Sequence, residues 1–434
     1  MSDRAATLGP TSLAERLVQE HFGSAGGTLT IAGVRVDDLV ARFGSPVFLY
    51  DAGIMRQRFR ALADAIAGFA SVYYSLKANP APAVAAVFVA EGAGLEVASG
   101  AELLVARKAG CPAERIVFAG PGKSDAELEL ALKQQCGEIH VETFEEISRL
   151  GQLARNHGRR CRIAIRVNPA AGASGGAMRM GGKPTAFGFD EEIIPEVLAA
   201  VAREDPLDLD GVHLFAGTQI LDAKVLLAQW DHGLRISAAV ARLIGRPLGS
   251  IDLGGGLGIP YHDGDASLDL AAVRQGLPAL IARRTEDPLL RNATIVLEPG
   301  RYLVGPAGVY VMSVNAVKAS RGQRFVICDG GMHHHLAASG NLGQVVKRDF
   351  PIVAATKLGE DAPAPATVVG PLCTPLDTLG RSTQLPRLAA GDLVAVLQSG
   401  AYGLTASPAA FLSHPMPAEV LIDGGEARLI RARG

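Results

Sequence analysis

Short apolar and β-branched runs recur through the middle of the chain: Val72–Leu76, Leu95–Ala98, Ile116–Ala119, Ile139–Glu142, Ile163–Val167, Gly211–Phe215, Ser250–Leu253 and Thr294–Glu298. Each has the length and composition of a buried strand. Between them lie segments such as Gly100–Gly110, Asp125–Gln135 and Phe144–His157, whose apolar residues return every three to four positions, the period of an amphipathic helix. Strand and helix alternating eight times over about 250 residues predicts an α/β fold, a (β/α)8 TIM barrel, with its active site at the carboxyl ends of the strands. Lys77, Glu96, Thr218, Gly254–Gly256 and Glu298 fall at or just after such ends.

After about Gly305 the pattern changes to alternating strands broken by Gly and Pro turns, at Val309–Val317, Arg324–Cys328, Ala366–Val369, Asp392–Gln398 and Glu419–Ile422. This predicts an all-β C-terminal domain. The first 45 residues add a helical stretch, Ser12–His21, and a strand-like one, Thr28–Val36. These are expected to join the β domain, giving a barrel over 46–305 inserted into a β-rich domain of 1–45 and 306–434.

Composition narrows the function classes. The chain has 434 residues, 48% hydrophobic and 20% charged, with a net charge of −2 and no long basic block. Nothing in it forms an electrostatic footprint for nucleic acid or an anionic membrane. Met1–Phe22 mixes charges without an apolar leader, and Ala81–Ala90 contains Pro82 and is too short to span a bilayer, so the cytoplasm is the expected location. The five cysteines, at 111, 136, 161, 328 and 373, show neither CxxC nor Cys/His ligand spacing. No disulfide framework or zinc site is expected.

Several positions carry chemistry. Lys77 ends an apolar, aromatic run, and Asn79-Pro80 halts the chain behind it. An amine so placed can face a pocket, lose part of its solvation and form a Schiff base; a lysine snorkelling from a strand end is the plainer alternative. Asp252-Leu253-Gly254-Gly255-Gly256-Leu257-Gly258 follows a strand, and contiguous glycines let backbone N–H groups approach a phosphate. A tight strand-to-helix turn accounts for them equally well. The run is not the dinucleotide pattern, because the glycines are adjacent. Glu298-Pro299-Gly300-Arg301 closes the eighth strand. Cys373, between turn-forming residues, is placed for exposure, whereas Cys111, Cys136, Cys161 and Cys328 lie in or beside apolar elements and are expected to be inert. His333-His334-His335 suggests a metal, but adjacent strand residues point to opposite faces and no carboxylate cluster joins them, so no metal site is expected.

Together, Tyr74-Ser75-Leu76-Lys77-Ala78-Asn79, Glu96-Val97-Ala98-Ser99, Gly254–Gly256, Glu298-Pro299-Gly300-Arg301, Cys373 and Gly400-Ala401-Tyr402 resemble the fold-type III decarboxylases dependent on pyridoxal 5'-phosphate. That group includes the diaminopimelate, ornithine and arginine decarboxylases. The resemblance runs from about Phe43 to Pro417. It implies that Lys77 carries the cofactor as a Schiff base with Glu96 beside it, and that Glu298 holds the pyridine nitrogen protonated. It further implies that Thr218, Gly254, Gly255, Gly256, Arg301 and Tyr402 hold the phosphate, with Gly300 also among the cofactor-binding residues. Cys373, from the partner subunit of a homodimer, would return a proton to the substrate carbon after carbon dioxide leaves.

The departures from the family pattern bear on the substrate. Phe215 stands where the amino-acid decarboxylases place a ring-stacking histidine, keeping an aromatic face without a titratable group; His213, on the same side of the strand, is a candidate replacement. Thr374 follows the cysteine where diamine-forming relatives have an acid. His333 and its neighbours stand where diaminopimelate enzymes use Arg and Tyr on a carboxylate. Desolvating a distal charge without a partner is costly, so His213, Thr374 and His333 are expected to face a substrate with a neutral distal group. The combination is most similar to the carrier-protein-linked branch, of the glutamyl-[acyl-carrier-protein] decarboxylase type, and to decarboxylases of exosortase-associated gene clusters. An acyl carrier protein is the implied partner. The alternatives are decarboxylation of free diaminopimelate, ornithine or lysine, amino-acid racemisation, and a non-catalytic binding homologue.

Overall fold

The computed structural model describes residues 12–170, 178–179, 184–215, 217–342 and 347–434. The part of the Met1–Phe22 stretch before Ser12, and Ala216, lie outside the described residues. Contacts divide the chain into two compact units: Met55–Ile259 with Ser267–Val304, and Met1–Ile54 with Pro260–Ala266 and Gly305–Gly434.

The first unit is a closed parallel barrel. Its strands are β1 Ser71–Ser75, β2 Gly94–Val97, β3 Ile116–Phe118, β4 Glu138–Val141, β5 Cys161–Asn168, β6 Leu207–Leu214, β7 Ser250–Asp252 and β8 Thr294–Leu297. Each pairs with the next, and β8 returns to β1 through Val296↔Ser71 and Leu297↔Val72. Every apolar run read as a barrel strand forms one, because each is buried on both faces and its composition carries that signal. The helices between them start where the sequence offers a cap: Ser99, Ser124, Thr143 and Asp222 each accept a hydrogen bond from the first turn of the helix that follows. Short caps and parallel strands bring all eight carboxyl ends to one end of the barrel.

The second unit is built on an extended sheet in the order Thr378–Leu385, Ala364–Val369, Gln323–Cys328, Gly308–Ser320, Val47–Asp51, Ala418–Asp423 and Glu426–Arg431. Leu393–Val396 also pairs with Gly308–Ser320, and Ile352–Ala354 pairs with Leu393–Val396. Leu29, Ile31, Val36, Leu39, Val47, Leu49, Val309, Val311, Val420 and Ile422 pack into one apolar core beneath it. Val47–Asp51 lies in this sheet, antiparallel to Gly308–Ser320 and parallel to Ala418–Asp423.

Thr28–Val36 is not the single strand expected. Ala32 and Gly33 take positive φ (47° and 81°), so Thr28–Ile31 turns back on Val34–Arg35 as a hairpin, and Val36 opens the helix Val36–Phe43. Thr378–Leu385 escaped the sequence reading because its Gly380-Arg381-Ser382-Thr383-Gln384 has no apolar alternation and sits at a sheet edge. No described helix is long and apolar enough to cross a membrane.

Candidate active site

β1 delivers Lys77. The strand ends at Ser75 and tightens into a 3-10 turn, Leu76–Ala78, whose flanking Leu76 and Ala78 are buried while the lysine side chain stays 41% exposed. Asn79 fixes this exit: its Oδ1 accepts from Ala81 N–H, and its carbonyl accepts from the buried Tyr74 hydroxyl. Lys77 Nζ lies 3.4 Å from Oε2 of Glu96 on β2 and 5.4 Å from the centre of the Phe215 ring. Glu96 is buried and also accepts from the Ser75 hydroxyl, which sits opposite it in register.

The turn after β7 needs its glycines. Gly254 and Gly256 have φ of 68° and 93°; a Cβ on Gly254 would stand 2.6 Å from Leu214 O, and one on Gly255 2.4 Å from Glu298 O. Asp252 Oδ1 accepts from Gly254 N–H at 2.8 Å and holds the turn. Thr218 lies beside it, since Ile220 N–H donates to Gly256 O and the space over Gly256 is closed by Gly217 O. Gly300 packs under the Lys77 turn, where a Cβ would meet that of Ala78 at 2.8 Å, and Arg301 begins the short helix Arg301–Val304. The barrel thus gathers Lys77, Glu96, Phe215, Thr218, Gly254–Gly256, Glu298, Gly300 and Arg301 at one end.

Beneath them the barrel interior is polar, which the sequence reading missed. His213 Nε2 lies 3.6 Å from Glu298 Oε2, and the His213 ring lies 4.4 Å from that of His140. His140 Nε2 is 3.1 Å from Glu138 Oε1 and 4.0 Å from Asp252 Oδ2, and the Ser250 hydroxyl donates to Glu138. One ligand atom from each of His140, His213, Asp252 and Glu298 falls within 4.8 Å of the others, all fully enclosed. Burial pushes the Asp252 carboxyl up to about 7, and burial with the nearby Asp252 charge raises Glu298 well above the ordinary range. Burial, with His140 next, drives His213 well below its usual value, so it is neutral. Burial opposes ionisation of Glu138 too, but His140 and Ser250 outweigh it and hold that carboxyl low. Asp252 Oδ2 and Glu298 Oε1 have no hydrogen-bond donor among the described residues, and burial with mutual repulsion favours the neutral form at this pair. The missed signal was the inward-facing pair Glu138 and His140, two residues apart on one strand.

The remaining candidates belong to the second unit. Cys373 is exposed on the loop Leu372–Asp377, where Thr374 N–H turns back to Leu372 O at 2.8 Å. Burial pushes the thiols of Cys111 and Cys136 up to about 11 and about 12, and those of Cys161 and Cys328 higher still, so these stay protonated. Tyr402 is half-buried with φ of 54°. His333, His334 and His335 are all buried. His334 Nδ1 accepts from the Tyr310 hydroxyl, its Nε2–H donates to Pro415 O, and His335 Nε2 meets Ser399 Oγ at 3.1 Å. His333 packs its ring between those of His334 and His414, with no exposed face to offer a substrate.

A closed parallel barrel with an amine, an aromatic face, a glycine cradle and a buried carboxyl at its carboxyl end defines a class, and sequence comparison agrees. Residues 52–305 match the family described as pyridoxal-dependent decarboxylase, pyridoxal binding domain, and the chain belongs to that family, the fold-type III decarboxylases. It is 38% identical to the L-glutamyl-[BtrI acyl-carrier protein] decarboxylase of Niallia circulans, over 91% of this chain and 93% of the relative. It is 32% identical to the diaminopimelate decarboxylase of Aquifex aeolicus, over 94% and 93%. Among solved structures, diaminopimelate decarboxylase of Helicobacter pylori complexed with L-lysine superposes with a TM-score of 0.82 at 30% identity, covering 92% of this chain and 96% of that one. The protein is therefore an enzyme, a carboxy-lyase dependent on pyridoxal phosphate. Its own residues fit that group: Glu298 Oε1 is a buried acceptor with no N–H donor among the described residues, and the Gly254–Gly256 turn leaves backbone where any side chain would intrude.

Proposed function

We propose that this enzyme decarboxylates the α-carbon of an L-amino acid whose distal end is uncharged, an aminoacyl group tethered to an acyl carrier protein, and that it works as a homodimer. The observation that carries this reading is the Cys373 loop. Thr374 offers a hydroxyl where a diamine substrate needs a carboxylate, and the loop's one acid, Asp377, is buried with both oxygens taken by backbone N–H groups of Met332 and Leu372. The segment beyond Met332 adds only buried, neutral histidines, since burial lowers His333 to about 4 and His334 and His335 to about 3. The relative named for a carrier-bound glutamyl substrate supports the same reading.

When bound, the cofactor supplies an electron sink for the carbon that loses its carboxylate. Lys77 would hold it covalently, Glu298 would pair with its ring nitrogen through the unpartnered Oε1, and Phe215 would offer it an aromatic face. Gly254, Gly255, Gly256, Thr218, Arg301 and Tyr402 would hold its phosphate, with Gly300 beside the Lys77 turn. As the bond from Cα to the carboxylate breaks, carbon dioxide leaves and the electron pair stays with Cα; the Cys373 thiol of the partner subunit then gives its proton to Cα. Thr374 lies on the substrate's distal side.

Comparing kcat/KM for free lysine, ornithine and diaminopimelate with that for a glutamyl thioester on phosphopantetheine or a carrier protein tests this reading. Preference for the thioester by at least a hundredfold is expected, on the order of the cost of an unpaired buried charge. Efficient turnover of a free diamino acid, with no gain from tethering, would move the assignment to the activity of the diaminopimelate relatives.

A further inference from the structure

The loop that presents Cys373 takes hydrogen bonds on its far side from Asn341 and Thr378, while the residue immediately before the cysteine is held by Asp377. Asp377 is 2% exposed, its Oδ1 accepts from Met332 N–H at 2.6 Å, and its Oδ2 accepts from Leu372 N–H at 2.9 Å. The first bond reaches the Asp329–Met332 turn, and the second reaches the residue immediately before the cysteine. Backbone bonds complete the knot: Gly370 N–H donates to Asp377 O, and Asp377 N–H donates to Thr374 O. Two glycines make room for it. A Cβ on Gly331 would stand 2.2 Å from Asp377 Oδ1, and one on Gly370 would stand 2.3 Å from Oδ2 and 2.5 Å from the Gly331 Cα. The carboxylate therefore fills a slot that only two bare backbones leave open, and it is spent on N–H groups, not aimed at solvent.

We propose that Asp377 is the positioning residue of Cys373, a clamp that fixes where the thiol stands. The proposal rests on the reading of Cys373 as the proton donor, and it makes product fidelity a property of Asp377. Without the clamp the thiol proton arrives late. A proton that missed Cα would go to the cofactor instead, and one water would then divide the product. The products are an aldehyde, which keeps the substrate carbon, and pyridoxamine phosphate, which keeps the nitrogen.

Asp377→Asn retains one acceptor oxygen and turns an N–H donor toward another donor, so it loses one of the two bonds while keeping the shape. Two readouts are taken on the loaded enzyme. The first is the rate of Cys373 alkylation by iodoacetamide, followed by peptide mass. The second is the ratio of aldehyde plus pyridoxamine phosphate to amine product. Both are expected to change by about tenfold, the equilibrium factor carried by one hydrogen bond to a charged group. Pyridoxal phosphate affinity should stay as in the parent. Should Asp377→Asn fold poorly, Gly370→Ala pushes on the same carboxylate and should move both readouts the same way. Alkylation and product ratio unchanged in both variants, with turnover merely lower, would overturn the proposal. Altered alkylation with a parental product ratio in Asp377→Asn and in Cys373→Ala would instead leave the clamp standing and remove Cys373 as the donor.

Discussion

Asp252 and Glu298, at the ends of neighbouring barrel strands, turn their carboxyls into one enclosed space together with His140 and His213, within 4.8 Å. Glu96, Lys77, Lys123, Glu138 and Arg166 are other charged groups that act on this space. The Asp252 carboxyl is raised from 3.8 to about 7, so the folded chain keeps a proton that the unfolded chain releases. A raised carboxyl stabilises the fold fully below the unfolded value and loses that contribution as pH rises through the folded one. In denaturation of the cofactor-free protein, the parent should lose up to about 4 kcal/mol relative to Asp252→Asn between pH 4 and 7. Parallel curves for the two would show that the Asp252 carboxyl is not raised by folding.

His333 carries the opposite sign. Its ring is buried, has no hydrogen-bond partner among the described residues, and is lowered from 6.5 to about 4 by burial. The unfolded chain binds this proton first as pH falls, so stability is full above 6.5 and declines toward 4. His333→Phe keeps the packing against His334 and His414 and removes the titration. It should recover up to about 3 kcal/mol at pH 4 relative to the parent, measured by denaturant midpoint at pH 4 and pH 7. A midpoint difference independent of pH would count against it.

Lys77→Ala is expected to abolish the absorbance band of lysine-bound cofactor and all turnover, with circular dichroism unchanged, because it removes the covalent anchor from a side chain that supports no core. Borohydride should fix cofactor to the parent chain at Lys77 and nowhere in the variant. Retained decarboxylation in Lys77→Ala would remove the assigned role.

Thr374→Asp places an acid where diamine-forming relatives have one. It should raise kcat/KM for free lysine or ornithine by about tenfold or more and lower it for the thioester substrate. No change for either substrate would show that position 374 does not face the distal group.

The barrel was legible because eight doubly buried strands must be written in apolar residues, and Lys77, Glu96, Gly254–Gly256 and Glu298 were legible because strand ends and glycine runs are local features. The polar interior was not: His213 meets Asp252 through strand register, and the chain carries no mark of which residues a closed barrel sets face to face. The edge strand Thr378–Leu385 and the hairpin at Ala32-Gly33 were hidden for a related reason, since half-exposed strands and tight turns use residues that loops use too. Asp377 shows the limit most directly. Its sequence neighbourhood marks a turn beside a cysteine, but its partner N–H lies 45 residues away at Met332, and only the tertiary approach of two glycine backbones makes the slot that its carboxylate fills. Local periodicity and strand-end chemistry are thus determined by the sequence itself, because they depend on neighbours along the chain; the charge state of the barrel interior and the aim of Cys373 are decided by the fold, because they depend on neighbours in space.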